Sequence, residues 1–200
     1  MTTSEIISAL TFRRAEKPGP DWITITGGNP ALYDLQDVVT SWQDDLGGKV
    51  AVETQGTKWQ DWLSGVDMLT VSPKPPSSNM GFTGKDFQGF MAKARAFGTS
   101  TCLKIVAFDD NDYAFAVGVH REYPKVPFYL SCGTAMGGLS GEWIPSKRQP
   151  QGRPYIDTEG DLLGRYRWLA EKTMSDPLMA DVAVFPQLHA LTFGITTRGV

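Results

Sequence analysis

The sequence predicts an α/β fold with parallel strands, on three observations. Two hydrophobic periods alternate along the chain, one strand-like and one helical. The strand-like segments read as near-continuous apolar runs, as strands covered on both faces do. Six such runs are separated by stretches long enough for crossover helices, which parallel neighbours require. The architecture expected is an open or partial α/β barrel formed as a single domain over residues 1–200, with no internal repeat and no clear linker.

"TTSEIISAL" opens with a capping-box pattern, Thr2 followed by Glu5, and sets Ile6, Ile7 and Leu10 on one helical face. The first strand is "WITIT", which ends at Gly27-Gly28-Asn29-Pro30. Asp34 is placed to cap a helix carrying Leu35, Val38, Val39, Trp42 and Leu46, closed by Gly47. "KVAVET" and "DMLTVSP" are the next two strands, with a short tryptophan-rich turn or helix around Trp59 and Trp62 between them. Phe87, Phe90, Met91, Ala94 and Phe97 mark a helix closed by Gly98, and "TCLKIVAF" resumes the strand pattern. A helix from about Asn111 to Tyr123 stops before Pro124. "PFYLSC" follows, then a Gly- and Pro-rich stretch from Gly133 to about Thr158, read as a functional loop or an insertion. A helix around Asp161 to Met174 and the strand "VAVFP" complete the six.

The 200 residues are 41% hydrophobic with a formal net charge of -3, both signs interspersed. No basic stripe is present for a phosphate backbone, so nucleic acid is not expected as a partner. No apolar run approaches the roughly 20 residues of a membrane span. "MTTSEIISAL" lacks the cationic lead and apolar core of a signal peptide, which gives a cytoplasmic expectation. Cys102 and Cys132 do not make a disulfide framework.

Ligands of parallel α/β folds sit at the carboxyl ends of the strands. Those ends are Thr26 to Pro30, Glu53-Thr54-Gln55-Gly56, Ser72-Pro73-Lys74-Pro75-Pro76, the segment after Val106, Ser131-Cys132-Gly133-Thr134, and Gln187 with His189. Small and polar residues recur there beyond what a packing edge needs. Each also has a plain structural reading. Gly27-Gly28 is either a tight turn or a place where backbone meets a ligand without a Cβ in the way. Glu53 is a solvated strand end or a functional carboxylate. Lys74, stiffened by prolines, reads as a positioned cation rather than a surface one. His189 is a structural hydrogen-bonder or a site residue. His120 reads as surface or packing, Cys102 as core, and Cys132 as lining a pocket rather than reacting.

Taken together, "TITGGNPALYD", "VAVETQGTKWQDWL", "LTVSPKPPSSNM", "PFYLSC" and "VFPQLHALTFGITTRGV" resemble the 7-carboxy-7-deazaguanine synthases, radical S-adenosylmethionine enzymes of deazapurine and queuosine biosynthesis. The resemblance runs over nearly the whole chain and implies a partial, open parallel β/α barrel of radical S-adenosylmethionine type. It implies that Gly28 binds S-adenosylmethionine, as do Ser72, Pro73 and Lys74. Ser131, Cys132, Gly133 and Thr134 fall on a further S-adenosylmethionine segment, although Ser131 stands where the family often has glutamine. Substrate contacts are implied for Thr26, His189 and Val200, the last through its own carboxylate, which accepts two parallel N–H groups of a guanine-like edge. No catalytic residue is assignable. The implied reaction is ring contraction of 6-carboxy-5,6,7,8-tetrahydropterin to 7-carboxy-7-deazaguanine with loss of ammonia. The implied cofactors are S-adenosylmethionine, a four-iron four-sulfur (4Fe-4S) cluster and magnesium (Mg2+). A homodimer and a flavodoxin-type reductant are implied as well.

The chain departs from that pattern where the cluster is concerned. The family binds its cluster through a C-x-x-x-C-x-x-C loop. These residues hold two cysteines, in separate predicted strands. The family's leading strand, an early Q-G-E-G-type segment and the magnesium-contacting residue are also not found, a shortfall of roughly 50 residues, about one βα unit. The sequence-level expectation is a chain with its first βα unit missing, or one that has lost its cluster. A missing strand would expose a sheet edge and make the monomer unstable. A non-catalytic module that binds S-adenosylmethionine or a pterin is the alternative function. An unrelated barrel enzyme using Glu53 and His189 as acid and base is a third.

Overall fold

The structure, a computed structural model, describes residues 2–16, 21–133 and 159–193. In chain order the elements are α1 (Thr3–Glu16), β1 (Trp22–Ile25), α2 (Gln36–Thr40), β2 (Lys49–Thr54), β3 (Met68–Val71) and α3 (Gly84–Ala96). There follow β4 (Thr101–Ala107), α4 (Asp110–Glu122), β5 (Phe128–Cys132), α5 (Glu159–Ser175), β6 (Ala183–Phe185) and α6 (Leu188–Phe193). The strands form one open six-stranded sheet in the order β1-β2-β3-β4-β5-β6. The predicted parallel α/β architecture is the one observed. By its packing the chain divides into two compact units, Met1–Pro73 with Thr83–Cys102, and Lys74–Phe82 with Leu103–Val200.

In the first unit β1 pairs parallel with β2 and β2 with β3, with Ile25 opposite Val52 and Thr54 opposite Val71. Val50, Val52, Leu69 and Val71 are almost wholly buried along one face. Residues of the other face, Ala51, Glu53 and Thr70, are only half-buried. The strands therefore alternate, where continuous apolar runs had suggested equal cover on both faces. α3 turns Phe87, Phe90, Met91 and Ala94 inward. Trp59 packs edge-on to Phe90 at 5.2 Å and stacks on Phe97 at 5.6 Å. Phe87 and Phe90, almost wholly buried, each stabilise by about 1.5–3 kcal/mol, whereas Phe97 remains largely exposed.

Both arms of the capping box at the start of α1 are made: the Glu5 carboxylate accepts from the Thr2 amide at 2.7 Å, and Thr2 Oγ1 accepts from the Glu5 amide at 3.3 Å. The second helix differs from expectation. Residues Pro30–Leu32 form a 3-10 turn, α2 ends at Thr40, and Ser41–Asp45 continue as one turn of π-helix. Asp34 still accepts from the Gln36 amide at 3.1 Å. The wider turn brings Trp42 so close to the Gly48 backbone that a Cβ there would lie 2.0 Å from the indole nitrogen. Burying that indole offsets the poorer hydrogen-bond geometry of the π turn.

In the second unit β4 pairs parallel with β5 from Leu103 opposite Phe128 to Ala107 opposite Cys132, and β5 pairs parallel with β6. Leu103, Ile105, Leu130, Leu162, Leu169 and Met179 are its fully buried centre. α4 and α5 are joined by a Lys172–Asp110 ion pair and by Tyr113, whose hydroxyl donates to Asp176 Oδ2 at 3.1 Å. His120, read from sequence as surface or packing, is a packing residue. Its ring meets Phe128 edge-on at 5.2 Å, and Nε2 lies 3.2 Å from the Asp181 carboxylate. The helix α6, which carries His189 in its first turn, was not anticipated.

Candidate functional site

The question posed by Gly27-Gly28 is answered first by backbone geometry. Their φ angles are 90° and 54°, in the left-handed region that glycine adopts without a Cβ penalty. Both are exposed, as is Thr26. Among the described residues, chain neighbours apart, no atom lies within 4 Å of where either Cβ would be. The end of β1 therefore presents bare backbone and one threonine to its surroundings.

The neighbouring strand ends hold that turn in place. Asn29 and Thr54 are buried, and Thr54 Oγ1 donates to Asn29 Oδ1 at 2.8 Å. The Thr54 carbonyl accepts from the Ser72 amide at 2.7 Å, and Thr54 Oγ1 accepts from the Gly56 amide at 3.4 Å. The ends of β1, β2 and β3 are thus tied side by side through one buried threonine. Asn29 and Thr54 stood among the strand-end residues in the sequence, but only the tertiary fold shows them bonded. Ser72 and Pro73 are buried where β3 runs out.

The second unit has its own ring of strand-end groups. Lys74 is half-buried and begins a loop that folds as a 3-10 turn at Pro76–Ser78. Ser131, Cys132 and Gly133 are buried at the end of β5. A Cβ on Gly133 would lie 2.2 Å from the Phe108 ring, so aromatic and backbone are in close contact. Burial raises the Cys132 thiol pKa and so disfavours the reactive thiolate. That bears on Cys132 as a reacting residue and leaves its reading as a lining residue to the proposal below. Cys102 is buried too, its Sγ 3.3 Å from Thr70 Oγ1, as a core cysteine should be. Thr134, Val200 and the stretch 134–158 lie outside the described residues.

Sequence reasoning missed Asp112. Its carboxylate is fully buried and accepts from the Ser77 amide at 3.0 Å, the Ser77 hydroxyl at 2.6 Å and the Phe108 amide at 2.9 Å. An aspartate in the first turn of a helix reads as a favourable charge at the helix N-terminus, which conceals a second partner far away in sequence.

Of the three cofactors implied by the resemblance, S-adenosylmethionine and the cluster fare differently. At the open glycine turn beside exposed Thr26, a ligand such as S-adenosylmethionine would meet bare backbone without a Cβ in the way. The cluster does not fit: among the described residues no group of three or more His, Cys, Asp or Glu side chains could hold a metal ion. Both cysteines of the sequence are buried, each in a different unit.

An open parallel β/α sheet with small and polar groups at its strand ends is the class of fold that this chain adopts. Among solved structures, Streptococcus suis SuiB bound to precursor peptide SuiA superimposes with a TM-score of 0.60 at 12% identity, covering 100% of this chain and 46% of that one. SuiB bound to S-adenosylmethionine gives 0.58 at 13% identity, again over 100% and 46%. Native anSMEcpe with bound AdoMet gives 0.57 at 12% identity, over 95% and 58%. The chain thus spans about half the length of those solved chains, and the likeness shows the fold. No protein-family model matches. Sequence relatives are nearer. The 7-carboxy-7-deazaguanine synthase of Bacillus cereus is 41% identical over 179 residues, 89% of this chain and 68% of the relative. That of Bacillus subtilis strain 168 is 36% identical over 186 residues, with the same 89% and 68% coverage. The chain belongs to the 7-carboxy-7-deazaguanine synthase family.

Proposed function

We propose that the chain serves the ring contraction of 6-carboxy-5,6,7,8-tetrahydropterin to 7-carboxy-7-deazaguanine with release of ammonia, the reaction of a radical S-adenosylmethionine carbon–nitrogen lyase. The observation that carries this reading is the open Gly27-Gly28 turn in a chain 41% identical to a curated synthase. On receiving one electron from a reductant, S-adenosylmethionine would supply the radical initiator of such chemistry. The protein's part is to bind and orient. In this reading Gly28 offers its backbone to S-adenosylmethionine, and Ser72, Pro73 and Lys74 complete a second contact. Ser131 to Thr134 form a third. Thr26, His189 and Val200 hold the substrate. Magnesium, a homodimer, a flavodoxin-type reductant, a cytoplasmic location and a single domain over residues 1–200 belong to the same proposal. Among the described residues, no helix is long and apolar enough to cross a membrane.

Titration calorimetry of the 200-residue chain with S-adenosylmethionine, and then with the tetrahydropterin, tests the binding roles. Heat with both is expected, and the Gly28→Val chain should lose the S-adenosylmethionine signal, because a β-branched residue is strained at a φ of 54° and adds bulk to an open face. Absence of heat with either ligand overturns the proposal.

A second reading, a binding module without radical chemistry, is favoured by the count of two cysteines. A cluster site needs more closely spaced thiolates than these. Anaerobic iron–sulfur reconstitution separates the two readings. Cluster uptake with product formation supports the enzyme; retained ligand binding without uptake supports the module.

A further inference from the structure

We infer that Asp112 is a positioning residue that sets the conformation of the loop beginning at Lys74 and links it to the end of β5. The inference rests on the S-adenosylmethionine role proposed for Lys74 and for Ser131 to Gly133.

The loop after Lys74 is braced from within and anchored at two points. Within it, the Ser78 hydroxyl donates to the Pro75 carbonyl at 2.6 Å, and the Met80 amide donates back to Ser78 Oγ at 3.2 Å. Its first anchor is the pair of bonds from Ser77 to the Asp112 carboxylate. Its second is Phe82, edge-on to Phe115 at 5.0 Å. Asp112 and Phe115 are three residues apart, so both anchors lie on one face of α4. The proline-stiffened loop is therefore held against α4 at two points.

Asp112 also faces the other way. The oxygen that takes the Ser77 hydroxyl takes the Phe108 amide as well. Phe108 in turn lies against Gly133, whose missing Cβ leaves room for the ring. A continuous line thus runs from the Lys74 loop through Asp112 and Phe108 to the end of β5. A fully buried carboxylate with three donors is a strong, directional clamp, because charge-assisted bonds in a low-dielectric setting exceed neutral ones. An asparagine cannot replace it in full: whichever way its amide is turned, the nitrogen faces a backbone N–H, that of Ser77 at the Oδ1 position or that of Phe108 at the Oδ2 position. Plain helix capping does not need this residue, since Asp109 already accepts from the Asn111 and Asp112 amides at 3.0 Å.

The test uses Asp112→Asn, Ser77→Ala and Ser77→Thr in the 200-residue chain. Three quantities are read: S-adenosylmethionine affinity by calorimetry, hydrogen exchange at the Ser77 and Phe108 amides, and thermal stability. Asp112→Asn and Ser77→Ala should each weaken S-adenosylmethionine binding by about tenfold. Exchange should quicken at Ser77 in both, and at Phe108 chiefly in Asp112→Asn. Ser77→Thr keeps the hydroxyl and should restore affinity. Ser77→Ala keeps the carboxylate and its two amide bonds, so it serves if Asp112→Asn fails to fold. Faster exchange with unchanged affinity would leave Asp112 purely structural and overturn the inference, while the wider function stands. A wild-type chain that binds no S-adenosylmethionine overturns both.

Discussion

At Gly56 the backbone φ is 73°, and a Cβ would lie 2.5 Å from Val71 Cγ1 and 3.1 Å from Phe87 Cδ2. The residue sits directly after the Thr54 hydrogen bonds that align three strand ends, so local strain there reaches the site. Gly56→Ala combines a left-handed penalty of about 1–2 kcal/mol with overpacking of about 1–3 kcal/mol. We expect a loss of about 3 kcal/mol, read as a lower urea midpoint with an unchanged slope. In sequence Gly56 looked like one more small strand-end residue. Its necessity comes from its left-handed φ and from Val71 and Phe87, distant in sequence, which no local pattern reveals.

Among the elements, α4 bears the most on function, because it carries Asp112. Its cap is Asp109, whose carboxylate satisfies two of the free amides at the helix start. Asp109→Ala should cost about 1 kcal/mol by chemical denaturation. Farther along, Tyr113 lies between α4 and α5, and burial together with the Asp176 carboxylate pushes its pKa from 10.0 to about 12. Tyr123, near the end of the same helix, is raised to about 12 by burial and by Glu122. A phenol raised in the folded state binds its proton more tightly there than in the unfolded chain. Its stabilisation is therefore whole below about pH 10 and is lost as pH climbs toward about 12. Denaturant midpoints measured across that window should fall for the wild type. Tyr113→Phe should start lower, having lost the bond to Asp176, and fall less steeply.

At the level of the whole molecule, ligand binding and folding are linked. If S-adenosylmethionine binds the folded chain alone, saturation at a hundred times its Kd should add about 2.7 kcal/mol to stability. A thermal shift that grows with ligand concentration is the expected result; a flat melting temperature would contradict the binding role. β1 and β6 are the ends of the strand order, and each keeps one pairing partner among the described residues. Trp22 and Phe185 on those strands are 42% and 51% exposed.

The sequence by itself determined the alternation of six strands with helices, the capping box of Thr2 and Glu5, and the family. These depend on local period, on contacts three or four residues apart, and on motifs that survive as contiguous text. It also picked out the small and polar strand ends, Thr26 and Gly28 after β1 in the first unit and Ser131 in β5 of the second. The tertiary structure alone decided the π turn at Ser41–Asp45, because burial of Trp42 against Gly48 overrode a regular helix. It alone decided the clamp of Asp112 on Ser77, whose partners are 35 residues apart. A hydrogen bond across such a separation leaves no period in the chain, since its geometry is set by how strands and helices pack between its ends.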